Sequence, residues 1–401
     1  MNTDPVLNRS SLSPELSLLL LLSAAEDHED SAAAIAAASE NRHMDWRLFL
    51  RLAEHHRTYP SVYLQLKRAA AHNNPAIPQE LMQALHALYT RNTFQMLHLS
   101  AEMTKVCGRM SSQGIRMLVL KGPALAKHLY GDISLRTSKD LDVLVAPADV
   151  TAAAQQLVQM GYTTDYACHE LFHLWKRKTH HISYYHPVHR TMVEVHWQLD
   201  PHKGSEPSFE SIWDRRRTML FSGTPVHTPG DQELLLYLAI HGARHGWFRL
   251  RWLADVDRLL RSSLVLHERL PAGCDYAYQA IVGQAMLLSA GLFGTPLSKD
   301  DEDLYANDRA HRLARTALPF ILSGKRCPDE SNKQAVREFR HYLLAQMSVR
   351  QRLDYYTKPL FPSSRDAVQL PMPRPLHFLY FPLRPLLWLW RHFRRQPLTR
   401  G

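Results

Sequence analysis

The 401-residue sequence predicts an α+β protein in which a small mixed sheet with helices is embedded between N-terminal and C-terminal helical regions. Two observations predict this class. Residues 14–110 and the residues after Pro229 have the apolar spacing of helices. Residues 112–227 contain short β-branched, apolar segments that alternate with helical stretches. The predicted regions are an N-terminal helical region at 1–110, a core at 111–228, a C-terminal helical region at 229–357, and a tail rich in Pro, Arg and aromatic residues at 358–401.

The N-terminal region consists of Leu- and Ala-rich runs that are separated by polar breaks near residues 41–45 and 73–78. Its first run, Leu16–Leu22, follows an acidic residue and lacks the basic flank of a secretory signal, so we interpret it as a core helix. The cysteines are far apart and form no CxxC pair. This pattern favours a reducing, cytoplasmic location over a disulfide framework or a zinc site.

Short strands and helices alternate in the core. The predicted strands are Arg116–Leu120, Leu141–Val145, Ile182–Tyr185 and Met192–Trp197, and the predicted helices are Pro123–Tyr130 and Pro147–Met160. After the core, helices are predicted at Asp231–His245 and Leu250–Arg261, with a further series through Met347. A Pro-rich stretch at 358–375 then begins the tail.

Two aspartates stand two residues apart at the head of the second predicted strand. Because a strand turns alternate side chains to one face, Asp140 and Asp142 are expected to point the same way. Two carboxylates on one face form a seat for a divalent cation such as Mg²⁺, which takes oxygen ligands and substrate phosphates. The alternative is a pair of solvated acids. Asp255 and Asp257 have the same spacing in a helical pattern, where side chains two apart diverge by about 200°, so we predict no site there.

A third carboxylate follows in the predicted strand Met192–Trp197, where alternation places Glu194 and His196 on one face. If this strand neighbours that of Asp142, Glu194 completes a cluster of three carboxylates. Such a cluster can bind two metal ions about 4 Å apart and stabilise the oxygens of phosphoryl or nucleotidyl transfer. We assign His196 to an acceptor pocket, the alternative being a strand histidine satisfied by a neighbour.

A glycine turn is predicted between the first strand and the first helix of the core. In Lys121-Gly122-Pro123, the glycine lets a phosphate approach the backbone and the proline suits the first helical turn. The helix N-terminus then favours an anion, although a simple strand-to-helix turn is the alternative. Three further candidate phosphate contacts precede the aspartates, namely Arg136, Ser138 and Lys139. The alternative for this loop is that its charges are only solvated.

Polar residues share one face of the predicted helix Asp231–His245. His241, Arg244 and His245 fall at positions i, i+3 and i+4. Two histidines four residues apart can ligate zinc, but Gly242 stands where the glutamate of HExxH would be. We therefore predict that these three side chains line the acceptor pocket. The default alternative is that a polar helix face packs against the core.

The formal net charge of +10 comes largely from the tail, where six arginines and no acids lie between residues 374 and 400. This location argues against a nucleic-acid partner, since no basic motif with interleaved aromatics occurs in the middle of the chain. The aromatic, Leu- and Arg-rich segment 377–395 is too interrupted by prolines to span a bilayer. It is expected to pack its apolar face on the protein or, as the alternative, to lie on an anionic membrane surface through residues 374–400.

The order of strand, glycine turn, helix, Asp-x-Asp strand and later strand with one carboxylate resembles the DNA polymerase β type nucleotidyltransferase superfamily. The chain is more closely similar to a bacterial nucleotidyltransferase family. The residues that carry this similarity are Leu120-Lys121-Gly122, Tyr130, Arg136, Asp140-x-Asp142, Glu194-Val195-His196-Trp197, His241, His245, Trp252 and Asp255. The resemblance implies a polymerase β-like core, metal ligation by Asp140, Asp142 and Glu194, and a triphosphate that faces Lys121 and Gly122. Where the superfamily usually has Gly-Ser, this chain has Gly122-Pro123, and Lys121 can substitute in part as a phosphate binder.

These features together predict a nucleotidyltransferase that depends on Mg²⁺ or Mn²⁺ and uses Asp140, Asp142 and Glu194 for catalysis. It would move a nucleoside monophosphate from an NTP to an unidentified hydroxyl or phosphate of a small molecule, peptide or saccharide. The resemblance suggests precursors of specialised peptides or surface polysaccharides as acceptors. The alternative is a weakly active or inactive nucleotide-binding scaffold at the membrane surface. An enzyme acting on RNA ends, a third option, predicts a continuous basic groove beside Asp140.

Overall fold

The N-terminal part of the computed structural model is helical. The model describes residues 12–25, 29–41, 43–73, 77–164, 179–202, 204, 206–262, 270, 274–324, 331–362, 366 and 369–393. The N-terminal helices are α1 (Pro14–Ser23), α2 (Glu29–Glu40), α3 (Trp46–His56), α4 (Tyr59–Asn73) and α5 (Gln79–Ser112). The Leu-rich run forms most of α1 and is largely buried, as predicted. At the predicted polar break, the Asp45 carboxylate accepts the N–H groups of Arg47 and Leu48 and so begins α3.

The core follows as β1 (Met117–Val119), α6 (Pro123–Tyr130), β2 (Leu141–Val145), α7 (Val150–Gln159), β3 (His181–His186) and β4 (Thr191–His196). Each strand end lies within one residue of its predicted position, and α6 has the predicted bounds. Helix α7 begins later than predicted, at Val150, because residues 147–149 form a turn. The predicted α+β class is therefore confirmed.

The four strands of the core form one mixed sheet in the order β1-β2-β4-β3. Strand β2 pairs antiparallel with β1 and parallel with β4, while β3 pairs antiparallel with β4. On one face, Val143 and Val195 pack against the C-terminal half of α5 and against α7. Because side chains alternate, Asp142 and Glu194 belong to the opposite face of the sheet.

A second, two-stranded sheet was not predicted. After α8 (Phe209–Asp214), strands β5 (Arg217–Phe221) and β6 (Thr224–Thr228) form an antiparallel hairpin. Its two-residue turn is Ser222-Gly223, with φ angles of 46° and 80°. A Ser-Gly turn between two β-type segments is a local signal for such a hairpin, since glycine adopts positive φ without strain.

The C-terminal region is helical, as predicted. It contains α9 (Asp231–Arg244), α10 (Leu250–Ser262), α11 (Tyr276–Phe293), α12 (Glu302–Tyr305), α13 (Asp308–Leu322), α14 (Lys333–Gln346), α15 (Val349–Thr357) and α16 (Tyr380–Phe393). A 3₁₀ helix, Arg374–Leu379, leads into α16. Within the described residues, no helix combines the length and the apolarity that crossing a bilayer requires.

Two hydrophobic clusters hold these elements together. The larger one joins apolar side chains of α1–α4 with those of α9, α10, α11 and α13, and includes Leu118 and Leu144 from the sheet. The smaller one joins α5 and α7 to the other face of the sheet, and takes Tyr380 and Leu387 from α16. The polar face of the sheet is therefore directed towards helices of both terminal regions. The division of the chain into regions at 1–110, 111–228, 229–357 and 358–401 stays a prediction.

Candidate active site

The turn after β1 has the geometry that its sequence predicts. The Leu120 N–H donates to the Asp142 carbonyl at 2.8 Å, which ties the end of β1 to β2. Gly122 then adopts φ +86°, and Pro123 begins α6. A Cβ atom at this position would lie 3.2 Å from Leu141 Cδ2 and in a backbone conformation that side chains rarely adopt. The glycine thus lets the chain reverse close to β2 and places Lys121 beside Asp142.

The register of β2 and β4 brings two predicted ligands together. Asp142 is the direct partner of Glu194 in the parallel pairing. Candidate ligand atoms of Asp142, Glu194 and His196 all lie within 4.8 Å of one another. The strand of Glu194 therefore neighbours that of Asp142, as the predicted cluster requires. Both carboxylates and His196 lie on one face of the sheet.

Asp142 is at the centre of this group and is almost fully buried, with 1% of its surface exposed. Its Oδ1 accepts from Lys121 Nζ at 2.9 Å and from His196 Nε2 at 3.2 Å. Burial by itself would raise the pKa of Asp142, but the Lys121 ammonium and His196 hold that pKa well below its usual range. The second oxygen, Oδ2, is buried with no hydrogen-bond partner among the described residues.

Asp140 lies outside this ligand group, so its predicted place in a cluster of three carboxylates stays a prediction. Among the side chains the structure describes, the third member of the group is His196. Asp140 belongs to the bend that precedes β2, so strand pairing does not fix its side chain as it fixes Asp142. Burial raises the pKa of Asp140, as do the charges of Asp142 and Glu194, and Lys121 opposes them. The charge of Asp140 therefore interacts with Asp142, Glu194 and Lys121, although Asp140 is not part of the ligand group.

Two histidines that sequence reasoning missed extend the site. His181 Nε2 lies 3.9 Å from Glu194 Oε2, and the rings of His181 and His196 stack at 5.0 Å. His180 Nε2 lies 3.0 Å from Arg244 Nη1. Burial, followed by the charge of His196, lowers the pKa of His181 to about 4. The adjacent histidines at the start of β3 are a local sequence signal for such a group.

Helix α9 covers the polar face of the sheet and carries the predicted acceptor-pocket residues. Lys121 Nζ lies 5.8 Å from the centre of the Tyr237 ring. The rings of His241 and His245 are 4.8 Å apart, which confirms that they share a helix face. Burial and the neighbouring Lys121 ammonium lower the pKa of His241 well below its usual range. In His245, burial and Arg244 lower the pKa to about 3.

Several cationic side chains surround Asp140. Lys139 lies in the same bend, and the positive charge of Arg57 is the main cause that lowers the pKa of Lys139. Burial and then the charge of Arg249 lower the pKa of Arg57 to about 10. Burial, Arg136 and Arg57 lower the pKa of Arg251 to about 9. Cations that repel one another in this way form a region suited to a polyanion.

Comparison with known proteins decides the family. Residues 42–294 match the model of a family described as uncharacterised nucleotidyltransferases. The chain belongs to this family. The matched region contains every site residue described above, from Arg57 to Arg251. No curated protein matches the chain.

One solved structure similar to this nucleotidyltransferase family member is that of an antigenic nucleotidyltransferase-like protein from Paracoccidioides brasiliensis. The sequences are 14% identical, the similarity covers 52% of this chain and 97% of the other, and the TM-score is 0.30. At this low identity and TM-score, the similarity assigns no role to any residue of this chain.

Two predicted nucleotide contacts of the family member have structural partners instead. Arg136 is buried, and its Nε and Nη2 each donate to the Asp255 carboxylate at 2.9 Å. Ser138 donates to the Asp140 carbonyl at 3.1 Å and so shapes the bend before β2. A buried arginine needs a buried acid and a short serine readily closes a turn, so both side chains already have partners within the protein, and their contact with phosphates stays a prediction. Lys139 stays exposed.

Arg57 is a nearby residue that sequence reasoning missed. It ends α3 in the left-handed conformation, with φ 58°. The helix is held against the C-terminal region by His55 Nε2, 3.0 Å from the Phe248 carbonyl, and by His56 Nδ1, which accepts the Leu250 N–H at 3.2 Å. No local pattern in the N-terminal region indicates this proximity to Asp140, because it depends on contacts almost 200 residues apart.

Proposed function

We propose that this protein transfers a nucleoside monophosphate from an NTP to a hydroxyl or phosphate oxygen of a small molecule, peptide or saccharide, with the aid of Mg²⁺ or Mn²⁺. The observation that carries this proposal is the parallel register of Asp142 and Glu194. It places two carboxylates beside the Lys121-Gly122 turn, in a chain of the nucleotidyltransferase family. Carboxylates beside a phosphate-binding turn are what nucleotidyl transfer requires.

The residues present fit a divalent cation. Asp142 Oδ2 is buried and has no hydrogen-bond partner among the described residues, although a buried carboxylate oxygen is normally satisfied. Glu194 and His196 offer further ligand atoms within 4.8 Å. A divalent cation bound here would neutralise phosphate charge and lower the pKa of the attacking hydroxyl.

The triphosphate is assigned to the cationic region around Asp140. Arg57, Lys139, Arg249 and Arg251 supply positive charge there, and Lys121 adds a point charge at the turn. Gly122 has no side chain between the backbone and an approaching phosphate. These groups neutralise the NTP and orient its α-phosphate towards Asp142 and Glu194.

In the proposed reaction, the acceptor oxygen forms a bond to the α-phosphorus. The bond from that phosphorus to the oxygen bridging to the β-phosphate breaks, and pyrophosphate leaves. We assign Asp140 as the group that takes the proton of an acceptor hydroxyl, because it is a carboxylate that lies outside the ligand group and close to it along the chain. Tyr237, His241 and His245 form the wall of α9 above Lys121, where we place the acceptor.

The test is to incubate the full chain with α-³²P-labelled NTPs, Mg²⁺ or Mn²⁺ and a cell extract, and to look for a labelled acceptor. We expect Asp142→Asn to reduce labelling at least about 1000-fold, since it removes a ligand charge worth several kcal/mol in the transition state. Glu210→Gln is the matched control, because Glu210 is an exposed acid that lies 3.6 Å from Arg116. Labelling that survives Asp142→Asn would refute this mechanism.

A nucleotide-binding scaffold at the membrane surface remains the second candidate. Its support is the outer face of α16, where Leu386 is 61% exposed, and the preceding Phe378, which is 63% exposed. Exposed apolar groups next to an arginine-rich terminus are typical of helices that lie on anionic bilayers. Residues 394–400 of the predicted contact segment lie outside the described residues.

A further inference from the structure

The hydroxyl of Tyr237 is a buried polar group without a structural partner. Tyr237 belongs to α9 and is only 2% exposed, and its ring packs in the larger hydrophobic cluster. The hydroxyl oxygen is buried as well, and it has no hydrogen-bond partner in the part of the chain that the structure describes. An unbonded buried hydroxyl costs free energy, so native proteins normally satisfy it. Water or a ligand must then supply the missing partner.

The neighbours of Tyr237 place its side chain at the candidate active site. Lys121 Nζ lies 5.8 Å from the centre of the Tyr237 ring and 2.9 Å from Asp142 Oδ1. Burial raises the pKa of Tyr237 well above its usual range, and the negative charge of Asp142 raises it further. Arg244 opposes these effects, and Glu194 adds to them. Tyr237 therefore keeps its proton at neutral pH and can donate a hydrogen bond.

A second unpartnered atom belongs to the sheet that α9 covers. Asp142 Oδ2 is buried and, like the Tyr237 hydroxyl, has no hydrogen-bond partner among the described residues. The two groups therefore do not bond to each other, although one is a donor and the other an acceptor. The carboxylate oxygen suits a divalent cation, and the hydroxyl suits an oxygen that can only accept. A phosphate meets both needs, because its oxygens accept hydrogen bonds and share Mg²⁺ with protein carboxylates.

We propose that the Tyr237 hydroxyl donates a hydrogen bond to a non-bridging oxygen of the α-phosphate of the bound NTP. The ammonium of Lys121, next to the Tyr237 ring, makes the same place favourable for a negatively charged oxygen. A donor that packing already holds in position needs no reorganisation during the reaction, so it stabilises the charge of the transition state. The inference deepens the proposed function by naming a substrate contact on α9, and it rests on that function for the identity of the ligand.

The test compares the wild type with Tyr237→Phe, which removes the hydroxyl and keeps the ring. Calorimetry measures how tightly the full chain binds an α,β-methylene NTP analogue with Mg²⁺, and the α-³²P assay measures the rate at which an acceptor is labelled. We expect Tyr237→Phe to weaken analogue binding about 10-fold, which is the loss of one hydrogen bond to a charged group. Labelling should slow about 100-fold. The urea midpoint of unfolding should stay the same or rise, because the variant removes an unsatisfied buried group.

Tyr162→Phe is the matched control. Tyr162 is also buried, but it lies in the smaller hydrophobic cluster and its hydroxyl donates to Glu102 Oε2 at 3.1 Å. Its replacement by Phe should lower the urea midpoint, because a hydrogen bond inside the protein is lost, and should leave analogue binding and labelling unchanged.

The outcomes separate this contact from the proposed function. If Tyr237→Phe binds the analogue and labels the acceptor as the wild type does, the inference is overturned and nucleotidyl transfer stands. A lower urea midpoint in Tyr237→Phe would show that the hydroxyl has a structural partner and would also overturn the inference. Weaker analogue binding by Tyr237→Phe, without labelled product from the wild type, would support the contact and count against transfer. A wild type that binds no analogue would overturn both.

Discussion

Asp142 and Asp255 are both buried carboxylates from Asp-x-Asp pairs, and their partners give them different roles. Asp142 has one oxygen without a hydrogen-bond partner in the described residues and shares its face with Glu194 and His196. Asp255 is completely buried and accepts from both Arg136 and Tyr130. In the second pair, Asp257 accepts from Arg261, Thr295 and the Ala25 N–H. The helix of the second pair thus turns its two acids to different structural partners, as expected for its geometry.

The pair of Arg136 and Asp255 leads to a stability prediction. We expect Arg136→Met to lower the free energy of unfolding by about 3–5 kcal/mol, because it leaves the Asp255 carboxylate buried and uncompensated. Urea unfolding followed by far-UV circular dichroism measures this change. Arg51→Met is the control, since the exposed Arg51 lies 3.9 Å from Asp45 and should contribute at most about 1 kcal/mol.

A second variant distinguishes the structural role of Arg136 from the nucleotide contact predicted by sequence. Arg136→Met combined with Asp255→Leu removes both charges and should recover much of the lost stability. If Arg136→Met left stability unchanged and weakened only NTP binding, the structural assignment would be wrong.

At the level of elements, helix α16 combines two environments. Tyr380 and Leu387 are buried in the smaller hydrophobic cluster, and Arg384 donates to both oxygens of Asp366 at 2.7 and 2.6 Å. The predicted packing of this segment on the protein is therefore confirmed for one face. Leu386 and Leu389 lie on the exposed side. The helix is fixed by one side and offers apolar groups on the other.

This arrangement predicts binding to anionic vesicles. The full chain should float with phosphatidylserine-containing vesicles more than with pure phosphatidylcholine, and Leu386→Asp should reduce that flotation several-fold by placing a charge in the contact face. Leu220→Asp is the matched control, because Leu220 is 72% exposed on the β5–β6 hairpin. Equal flotation of the Leu386 and Leu220 variants would contradict the membrane contact.

At the scale of the whole molecule, a buried polar network joins the chain after β4 to two C-terminal helices. Asp200 Oδ2 accepts from Tyr278 of α11 at 3.1 Å and from Gln351 of α15 at 3.0 Å. Glu206 Oε2 accepts the N–H groups of Leu199 and Asp200. Burial is the main cause that raises the pKa of Glu206 to about 8 and the pKa of Asp200 to about 6.

The raised pKa of Glu206 makes stability depend on pH. Between about 4.5 and about 8, folded Glu206 retains a proton that the unfolded chain releases. The folded state binds more protons than the unfolded state in this window. The contribution of Glu206 to the free energy of unfolding therefore falls as pH rises. We expect the free energy of unfolding, measured with urea, to fall between pH 5 and pH 8 in the wild type and to fall less in Glu206→Gln. Parallel pH profiles for both proteins would show that Glu206 does not carry this dependence.

The local elements of this protein follow from short stretches of its sequence. Strand alternation, the glycine turn and helix spacing predicted β2, α6 and the segment with Glu194, because these depend on residues within a few positions of one another. The Asp-x-Asp pair and the later glutamate are therefore recognisable in the sequence alone. The hairpin β5–β6 also had a local signal, in Ser222-Gly223.

The contacts between side chains that are distant in sequence depend on how the elements pack together. This packing paired Asp142 with Glu194, placed His196 beside both of them, and brought His181 Nε2 to 3.9 Å from Glu194 Oε2. It also paired Arg136 with Asp255, 119 residues away, and carried Arg57 to the cations around Asp140. Such contacts arise from the burial of apolar faces on both sides of the sheet, and no short-range pattern in a single sequence specifies which faces will pack together.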